Sequence, residues 1–106
     1  MSDTQLLSEH VQRMLGDRSY DRRKGAALTV ESKIKTLESQ GKHDQVERLI
    51  RILADNFTRS PNSNHRKGGL IGLAAAAIGL MKDIDKYLPL LLPPVIHCFG
   101  DPESRV

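Results

Sequence analysis

An all-α fold is predicted for this chain of 106 residues by its composition, by the spacing of its apolar residues and by an internal repeat. Aromatic residues make up only 4% of the sequence and tryptophan is absent, so the core has to be built from Leu, Ile, Val and Ala. That mixture favours helices over strands. The length suits one domain with a modest core, which buries about two thirds of its unfolded surface.

Apolar residues recur at helical spacing in five segments, near residues 3–15, 19–40, 43–57, 64–81 and 86–99. In the first segment Leu7, Val11 and Leu15 are spaced four residues apart, and Ser2 or Asp3 is available as the N-cap. The second segment has one apolar stripe, formed by Ala27, Val30, Ile34 and Leu37. A glycine follows this stripe, as is common at the end of a helix.

The third segment has the clearest amphipathic stripe, formed by Val46, Leu49, Ile50, Leu53 and Phe57. The fourth continues the pattern with Leu70, Leu73, Ala74, Ala77 and Met81. The fifth, YLPLLLPPVIHCF, contains three prolines. Because an interior proline removes a hydrogen bond and clashes with the preceding turn, this helix is expected to begin late or to kink near Pro93.

The apolar stripes repeat in register along the chain. A shift of 42 positions relates three sets of residues, which are Leu7, Val11 and Leu15, then Leu49, Leu53 and Phe57, then Leu91, Val95 and Phe99. The second and fourth segments obey a shift of 43, and their lead-ins DRRKGAAL and NHRKGGLI align. A helical bundle has no reason to repeat its stripes in register, whereas two helices in about 40–47 residues is typical of HEAT and armadillo repeats.

The sequence therefore predicts a HEAT/armadillo-like α-solenoid of about two and a half helical hairpins, with residues 1–106 as one domain. A closed bundle of four or five helices is the alternative. In HEAT repeats an Asp after the second helix commonly pairs with an Arg near the start of the next, and Asp101 and Arg105 occupy such positions. A solenoid normally ends in a polar capping repeat, so we expect a fragment of a longer solenoid.

Residues 66–81, RKGGLIGLAAAAIGLM, contain fourteen consecutive uncharged residues rich in Gly and Ala. A transmembrane helix needs about 20 apolar residues, so a membrane span is not expected. A phosphate loop needs a GxxxxGK(S/T) run between a strand and a helix, and this segment has neither the lysine at that position of the run nor the strand. We predict instead a helix that is buried around most of its circumference, in which Gly68, Gly69 and Gly72 let neighbouring backbones approach closely.

The stretches HRKGGLIGLAAAAIGL and YLPLLLPPVIHCFGDPESRV resemble the N-terminal part of the ArPIKfyve family of vacuole-morphology scaffolds, the associated regulators of the phosphatidylinositol 3-phosphate 5-kinase PIKfyve. The resemblance covers about residues 15–106. It implies a HEAT-repeat region without catalytic activity, in a scaffold that holds this kinase together with a Sac-domain phosphoinositide phosphatase. It further implies peripheral association with endosomal and vacuolar or lysosomal membranes, where the complex controls phosphatidylinositol 3,5-bisphosphate. Self-association and phosphatase binding are placed in the family's C-terminal part, outside these residues.

Basic residues at the starts of the second and fourth helices are the candidate interaction site, and they are Arg22, Arg23, Lys24, Arg66 and Lys67. Stacked repeats would align them into a basic ridge that meets an acidic protein surface or anionic lipid headgroups. The alternative is that Asp17 and Asp21 neutralise the first group and that both groups only solubilise the helix starts. A peripheral module that binds anionic lipid through this ridge is thus a second hypothesis beside the scaffold.

No catalytic, metal or cofactor site is predicted. The four histidines, which are His10, His43, His65 and His97, lack the spacing of metal ligands. Cys98 is predicted to be a small apolar residue of the last helix rather than a nucleophile. Since it is the only cysteine, a reducing, cytosolic setting is expected. The net charge of +3 is small and does not by itself indicate nucleic-acid binding.

Overall fold

The computed structural model describes residues 2–99, and of Phe99 only the backbone. Within this range every regular element is helical, as predicted. The α-helices are α1 Asp3–Leu6, α2 Glu9–Leu15, α3 Tyr20–Ser39, α4 His43–Ile52, α5 Ser63–Leu80 and α6 Leu88–Phe99. A π-helical segment, Leu53–Thr58, continues α4, and a 3₁₀ segment, Met81–Tyr87, joins α5 to α6.

The helices pack as tandem hairpins in two layers. In one layer α3 and α5 lie side by side, while in the other α4 and its π-helical segment lie beside α6. α2 packs on α3, and α1 packs on α4, where Arg48 forms an ion pair of 2.7 Å with Asp3. The hairpins α3–α4 and α5–α6 form the helical-repeat architecture that the in-register stripes predict.

The N-terminal segment is two short helices rather than the single helix predicted near residues 3–15. Leu7 has an extended backbone, with φ −139° and ψ 108°. Ser8 then begins α2 as its N-cap, and its Oγ accepts a hydrogen bond from the amide of Val11 at 3.2 Å. The cap satisfies an amide that a new helix would otherwise leave unpaired, and it therefore favours a fresh start at this position. Leu7 and Leu15 are both buried, but they do not belong to one helix.

The starts of α3 and α5 share one pattern of hydrogen bonds. The N-caps are Ser19 and Asn62, which lie 43 positions apart, and each side chain accepts a hydrogen bond from an amide of its own helix. Two residues before each N-cap, a side-chain oxygen accepts from the N-cap amide, at 2.8 Å for Asp17 and 3.1 Å for Ser60. The structure thus repeats the shift of 43 at the level of single hydrogen bonds.

The shift between repeats changes from 42 to 43 positions near the end of the π-helical segment. A π turn holds one residue more than an α turn, because its hydrogen bonds join residues five apart rather than four. Leu53, where the segment begins, follows Val11 by 42 positions, whereas the N-cap Asn62 follows Ser19 by 43. Phe57 still follows Leu15 by 42 positions, so the extra residue lies between Phe57 and Asn62, at the end of this segment and in the loop after it.

The last hairpin is completed by α6, which begins at Leu88, two residues later than predicted, and continues through Pro93 and Pro94. Cys98 on α6 is buried, and its Sγ lies 3.7 Å from the carbonyl oxygen of Thr58 at the end of the π-helical segment. This contact ties the end of α6 to the preceding repeat.

Candidate partner-binding surface

Three neighbouring elements approach α5 at its glycines. A β-carbon on Gly68 would overlap the carbonyl oxygen of Leu15, at the end of α2. One on Gly69 would lie 2.7 Å from Cγ2 of Thr58, and one on Gly79 would lie 2.8 Å from the carbonyl oxygen of Glu31 on α3. Distances this short are repulsive, so a larger residue at these positions would push the neighbouring elements away. At Gly72 the β-carbon would lie 2.9 Å from Cδ2 of Leu53, the end of a flexible side chain that can move aside more easily.

The outer edge of α5 is exposed, although most of the circumference of its Gly- and Ala-rich part is covered, as predicted. Ala74 and Ile78 are exposed, and Met81, directly after the helix, is exposed too. α3 covers one flank of α5 and the π-helical segment covers another. Among residues 2–99 no element covers this edge, and its apolar side chains meet solvent.

The exposed side chains of α6 are also apolar. Ile96 is 61% exposed, and Leu92 is exposed beside it. One repeat earlier the corresponding residues are Ile50 and Ala54, both buried within the packed hairpins. α6 therefore exposes positions that are covered in the preceding repeat.

We name these exposed residues of the second hairpin the apolar edge, formed by Ala74, Ile78, Met81, Leu92 and Ile96. Sequence reasoning did not single it out and instead placed Ala74 and Met81 in the apolar stripe of the fourth segment, which is wrong for both because they are exposed. A signal was present, because Ile78 and Met81 stand 43 positions after Lys35 and Glu38, so the repeat is charged at the first site and apolar at the second. Exposed apolar residues mark sites of protein interaction where they form a patch, so the apolar edge is a candidate interface.

Met81 has a strained backbone at the end of the edge. Its φ of 52° and ψ of −121° lie where side chains are disfavoured. The amide of Met81 still caps α5 by donating a hydrogen bond to the carbonyl of Ala77. Its side chain is mostly exposed, so packing within the described residues does not explain why methionine stands here. Strain of this type often accompanies a functional role.

Met81→Gly is expected to raise the free energy of unfolding by about 1 kcal/mol, because glycine adopts this backbone conformation without strain. Urea denaturation followed by circular dichroism measures the change. Met81→Leu is the matched control, since it retains a β-carbon and should give no gain. Equal stability of all three proteins would show that the backbone here is not strained.

A polar cluster fixes the 3₁₀ segment, and thus the turn between α5 and α6, to the first hairpin. The hydroxyl of Tyr87 donates to Oε1 of Glu38 at 2.6 Å. Nδ1 of His43 lies 3.0 Å from the same oxygen and 2.9 Å from the Tyr87 hydroxyl. Nζ of Lys86 lies 3.4 Å from Oε2 of Glu38. The buried carboxylate is therefore held by three donor groups from two elements.

These contacts shift the pKa values of the cluster. Burial by itself raises the pKa of the Glu38 carboxyl, but the hydrogen bonds from Tyr87, His43 and Lys86 outweigh it and hold the pKa below its usual 4.5. Burial, and then the neighbouring Glu38, raise the pKa of Tyr87. At neutral pH the pair is therefore a carboxylate that accepts from a neutral phenol.

Glu38→Gln is expected to destabilise the fold at pH 7, with a difference from the parent protein that shrinks in acid. A carboxyl whose pKa is lowered by folding stabilises the folded state above its unfolded pKa, and this contribution is lost as the pH falls through the folded pKa. The stability difference between the two proteins is therefore lost over a pH range that begins near 4.5 and extends below it. Parallel urea titrations of both proteins between pH 7 and pH 3 measure the difference and cancel the titration of Asp17, whose pKa the Ser19 amide also lowers. A constant difference over this range would contradict the assignment.

The residues of the predicted basic ridge differ in their surroundings. Arg23 does not belong to an accessible ridge, because its side chain is only 8% exposed. Nη1 of Arg23 turns back to the preceding loop and donates to the carbonyls of Asp17 at 2.8 Å and Arg18 at 3.0 Å. Arg22 is exposed and pairs with Asp17 at 3.4 Å.

The second repeat copies this arrangement. Nη1 of Arg66 donates to the carbonyls of Ser60 at 2.9 Å and Pro61 at 2.8 Å, which are the same relative positions. Lys24 is exposed and Lys67 is half-buried. The recurrence of arginine at the helix starts is thus explained by a loop contact. The predicted pair of Asp101 and Arg105 lies outside the described residues.

Other candidate chemistry is sparse in the part of the chain that the structure describes. No three His, Cys, Asp or Glu side chains come together there as they do around a metal ion. No helix in the same range is long and apolar enough to cross a membrane.

Comparison with known proteins matches the second hairpin to a described family region. Residues 64–106, which include all of α5 except its first residue, the 3₁₀ segment and α6, match the family model described as the Vacuolar 14 Fab1-binding region. The chain is 49% identical over 96 residues to the Protein VAC14 homolog of Arabidopsis thaliana, with 91% of this chain and 13% of that protein covered. No solved structure matches the chain.

Fungal relatives agree with this match. The chain is 35% identical over 102 residues to the vacuole morphology and inheritance protein 14 of Saccharomyces cerevisiae, covering 94% of this chain and 12% of that protein. It is 38% identical over 96 residues to the Protein VAC14 homolog of Schizosaccharomyces pombe, covering 89% and 12%. The chain thus spans about an eighth of the relatives it matches, and over that span it belongs to the VAC14 family.

Proposed function

We propose that this chain is the kinase-binding part of a non-catalytic scaffold or regulatory subunit, and that it binds a Fab1-type phosphatidylinositol 3-phosphate 5-kinase through the apolar edge. One observation carries the proposal. The residues that match the Fab1-binding region expose Ile78, Met81, Leu92 and Ile96, four of the six large apolar side chains that are exposed in residues 2–99. An interface needs such a core, because a few buried apolar anchors supply most of the binding energy.

The fold suits a scaffold because it presents this edge on rigid elements. The backbone contacts of Gly69 and Gly79 hold α5 in place, and the hydrogen bond from Tyr87 to Glu38 fixes the turn that leads to α6. A preorganised surface loses less conformational entropy on binding than a flexible one. Helix positions set by the fold would thus give the kinase a defined orientation.

At the level of the whole complex, the proposal is that the scaffold supports synthesis of phosphatidylinositol 3,5-bisphosphate on endosomal and vacuolar membranes. The kinase would contact this chain, and the opposing Sac-domain phosphatase would bind elsewhere in the longer protein. Membrane association would come through the complex. The name of the Saccharomyces cerevisiae relative, vacuole morphology and inheritance protein 14, supports a role at the vacuole.

Ile78→Glu is expected to weaken binding of the kinase at least tenfold, which is about 1.4 kcal/mol, because a charge would be buried in an apolar contact. Biolayer interferometry with the immobilised chain and purified kinase measures the dissociation constant. Leu28→Glu is the matched control, since Leu28 on α3 is 57% exposed and Ile78 is 59% exposed. Equal loss in both variants, or none in Ile78→Glu, would contradict the proposed site.

Direct lipid binding through exposed cations remains the competing prediction. Liposome sedimentation with and without phosphoinositides separates it from the scaffold, because a scaffold without lipid contacts stays in the supernatant. The basic residues to substitute in this test are Arg22, Lys24 and Lys67, because Arg23 and Arg66 donate hydrogen bonds to loop carbonyls.

A further inference from the structure

A groove of about 280 Å³ opens between α2 and α3, away from the apolar edge in sequence and in repeat position. Its wall on α3 is formed by Arg22, Gly25, Ala26 and Thr29, and its wall on α2 includes Val11 and Met14. A β-carbon on Gly25 would meet no heavy atom within 4 Å. Glycine inside a helix costs about 1 kcal/mol relative to alanine, and no contact within the described residues requires it here.

In the next repeat, the corresponding positions contact the carboxyl ends of helices. A shift of 43 relates the four residues of α3 to His65, Gly68, Gly69 and Gly72 on α5. Gly68 lies against the carbonyl of Leu15, and the ring of His65 lies against Gly16, the residue that ends α2. Gly69 lies against Phe57 and Thr58 at the end of the π-helical segment. In α5, therefore, the glycines are required at these positions because the carboxyl ends of two helices pack on them.

We infer that the groove at Gly25 is a docking site for the carboxyl end of a helix from a partner protein, a helix whose last turn carries a leucine-sized apolar side chain. The inference extends an interface that the chain already makes, because Gly25 is the repeat counterpart of Gly68. It concerns α2 and α3 rather than the second hairpin and does not depend on the proposed kinase contact.

The chemistry of the groove suits such an occupant. The last turn of a helix has unpaired carbonyls and a partial negative charge. Arg22, whose side chain is exposed at the rim and pairs with Asp17 at 3.4 Å through Nη1, has further donors for those carbonyls. Val11 and Met14 are half-buried and offer apolar surface for the terminal side chain. Gly25 lets the helix backbone approach closely, as Gly68 does for Leu15.

A tethered helix end tests the inference. A copy of the sequence SEHVQRMLGD, which contains the α2 end that packs on Gly68, is joined to the N-terminus of the chain by a flexible linker of about 20 residues. Such a linker spans roughly 25 Å and gives an effective concentration in the millimolar range. The copied helix is stabilised by a side-chain staple, and amide NMR shifts of Gly25, Ala26 and Thr29 report docking.

We expect shifts at these three amides in the tethered protein, and loss of the shifts when the copied leucine is changed to aspartate. Gly25→Leu should abolish docking without unfolding the chain, because the added side chain enters open space. Ser32→Leu, at an exposed position of the same helix, is the control and should leave docking intact. Absent shifts in the tethered protein, or equal shifts in Gly25→Leu, would overturn the inference. Self-association of the untethered chain that Gly25→Leu abolishes would instead make a second copy the occupant and overturn the assignment to a partner.

Discussion

Gly68→Ala is expected to lower the free energy of unfolding by about 3 kcal/mol, the upper part of the range for overpacking a core. The new β-carbon would occupy the space of the Leu15 carbonyl oxygen, and a backbone atom cannot move aside as a flexible side chain can. Relief requires α2 to separate from α5, with loss of the contacts around both helices. Urea denaturation measured by circular dichroism gives the change.

The same substitution one repeat earlier is a matched control with the opposite sign. Gly25→Ala is expected to raise the free energy of unfolding by about 1 kcal/mol, because alanine is the better helix former and open space surrounds the position. Both variants change one glycine in the middle of a helix, so propensity cancels between them. Stabilisation by Gly68→Ala, or destabilisation by Gly25→Ala, would contradict the packing described for the two repeats.

Arg23→Ala is expected to cost about 2 kcal/mol, because it removes a charged donor from two loop carbonyls and leaves them without that partner. Arg22→Ala, at the adjacent exposed position, should change stability by less than about 0.5 kcal/mol, since exposed ion pairs contribute little. Thermal and urea unfolding of both variants measure the difference. Similar effects at the two positions would show that the loop contact of Arg23 does not hold the fold.

The register of the fold could be predicted from the sequence because the aliphatic stripes repeat. Val30, Ile34, Leu49 and Leu53 stand in those stripes, and all four are fully buried. The details at the ends of the helices could not be predicted in this way. Ser8 interrupts the first stripe by capping a new helix, and the π-helical segment leaves the pattern of apolar residues before it unchanged. Caps and π turns depend on local hydrogen bonds, to which periodicity is insensitive.

The basic residues were assigned to a surface because the sequence shows their charge but not their direction. Side chains on a helix tilt toward its N-terminus, so a long arginine in the first turns reaches back over the preceding loop. Arg23 and Arg66 both do this. The apolar edge was missed for a different reason. Whether Ile78 is covered depends on which elements lie beside α5, and a stripe on one helix does not report its neighbours.

The glycine contacts of α5 have a mechanical consequence. At Gly68 and Gly79 the main chain rests directly on the main chain of α2 and α3, with no side chain in between that could bend or change rotamer. Tightly packed contacts of this kind have low compressibility and transmit strain. α5 is therefore held rigidly at two points, one on each half of the helix. A force applied by an enzyme bound to the second hairpin would be transmitted to the first hairpin with little deformation. The two hairpins would therefore rotate together as one rigid body.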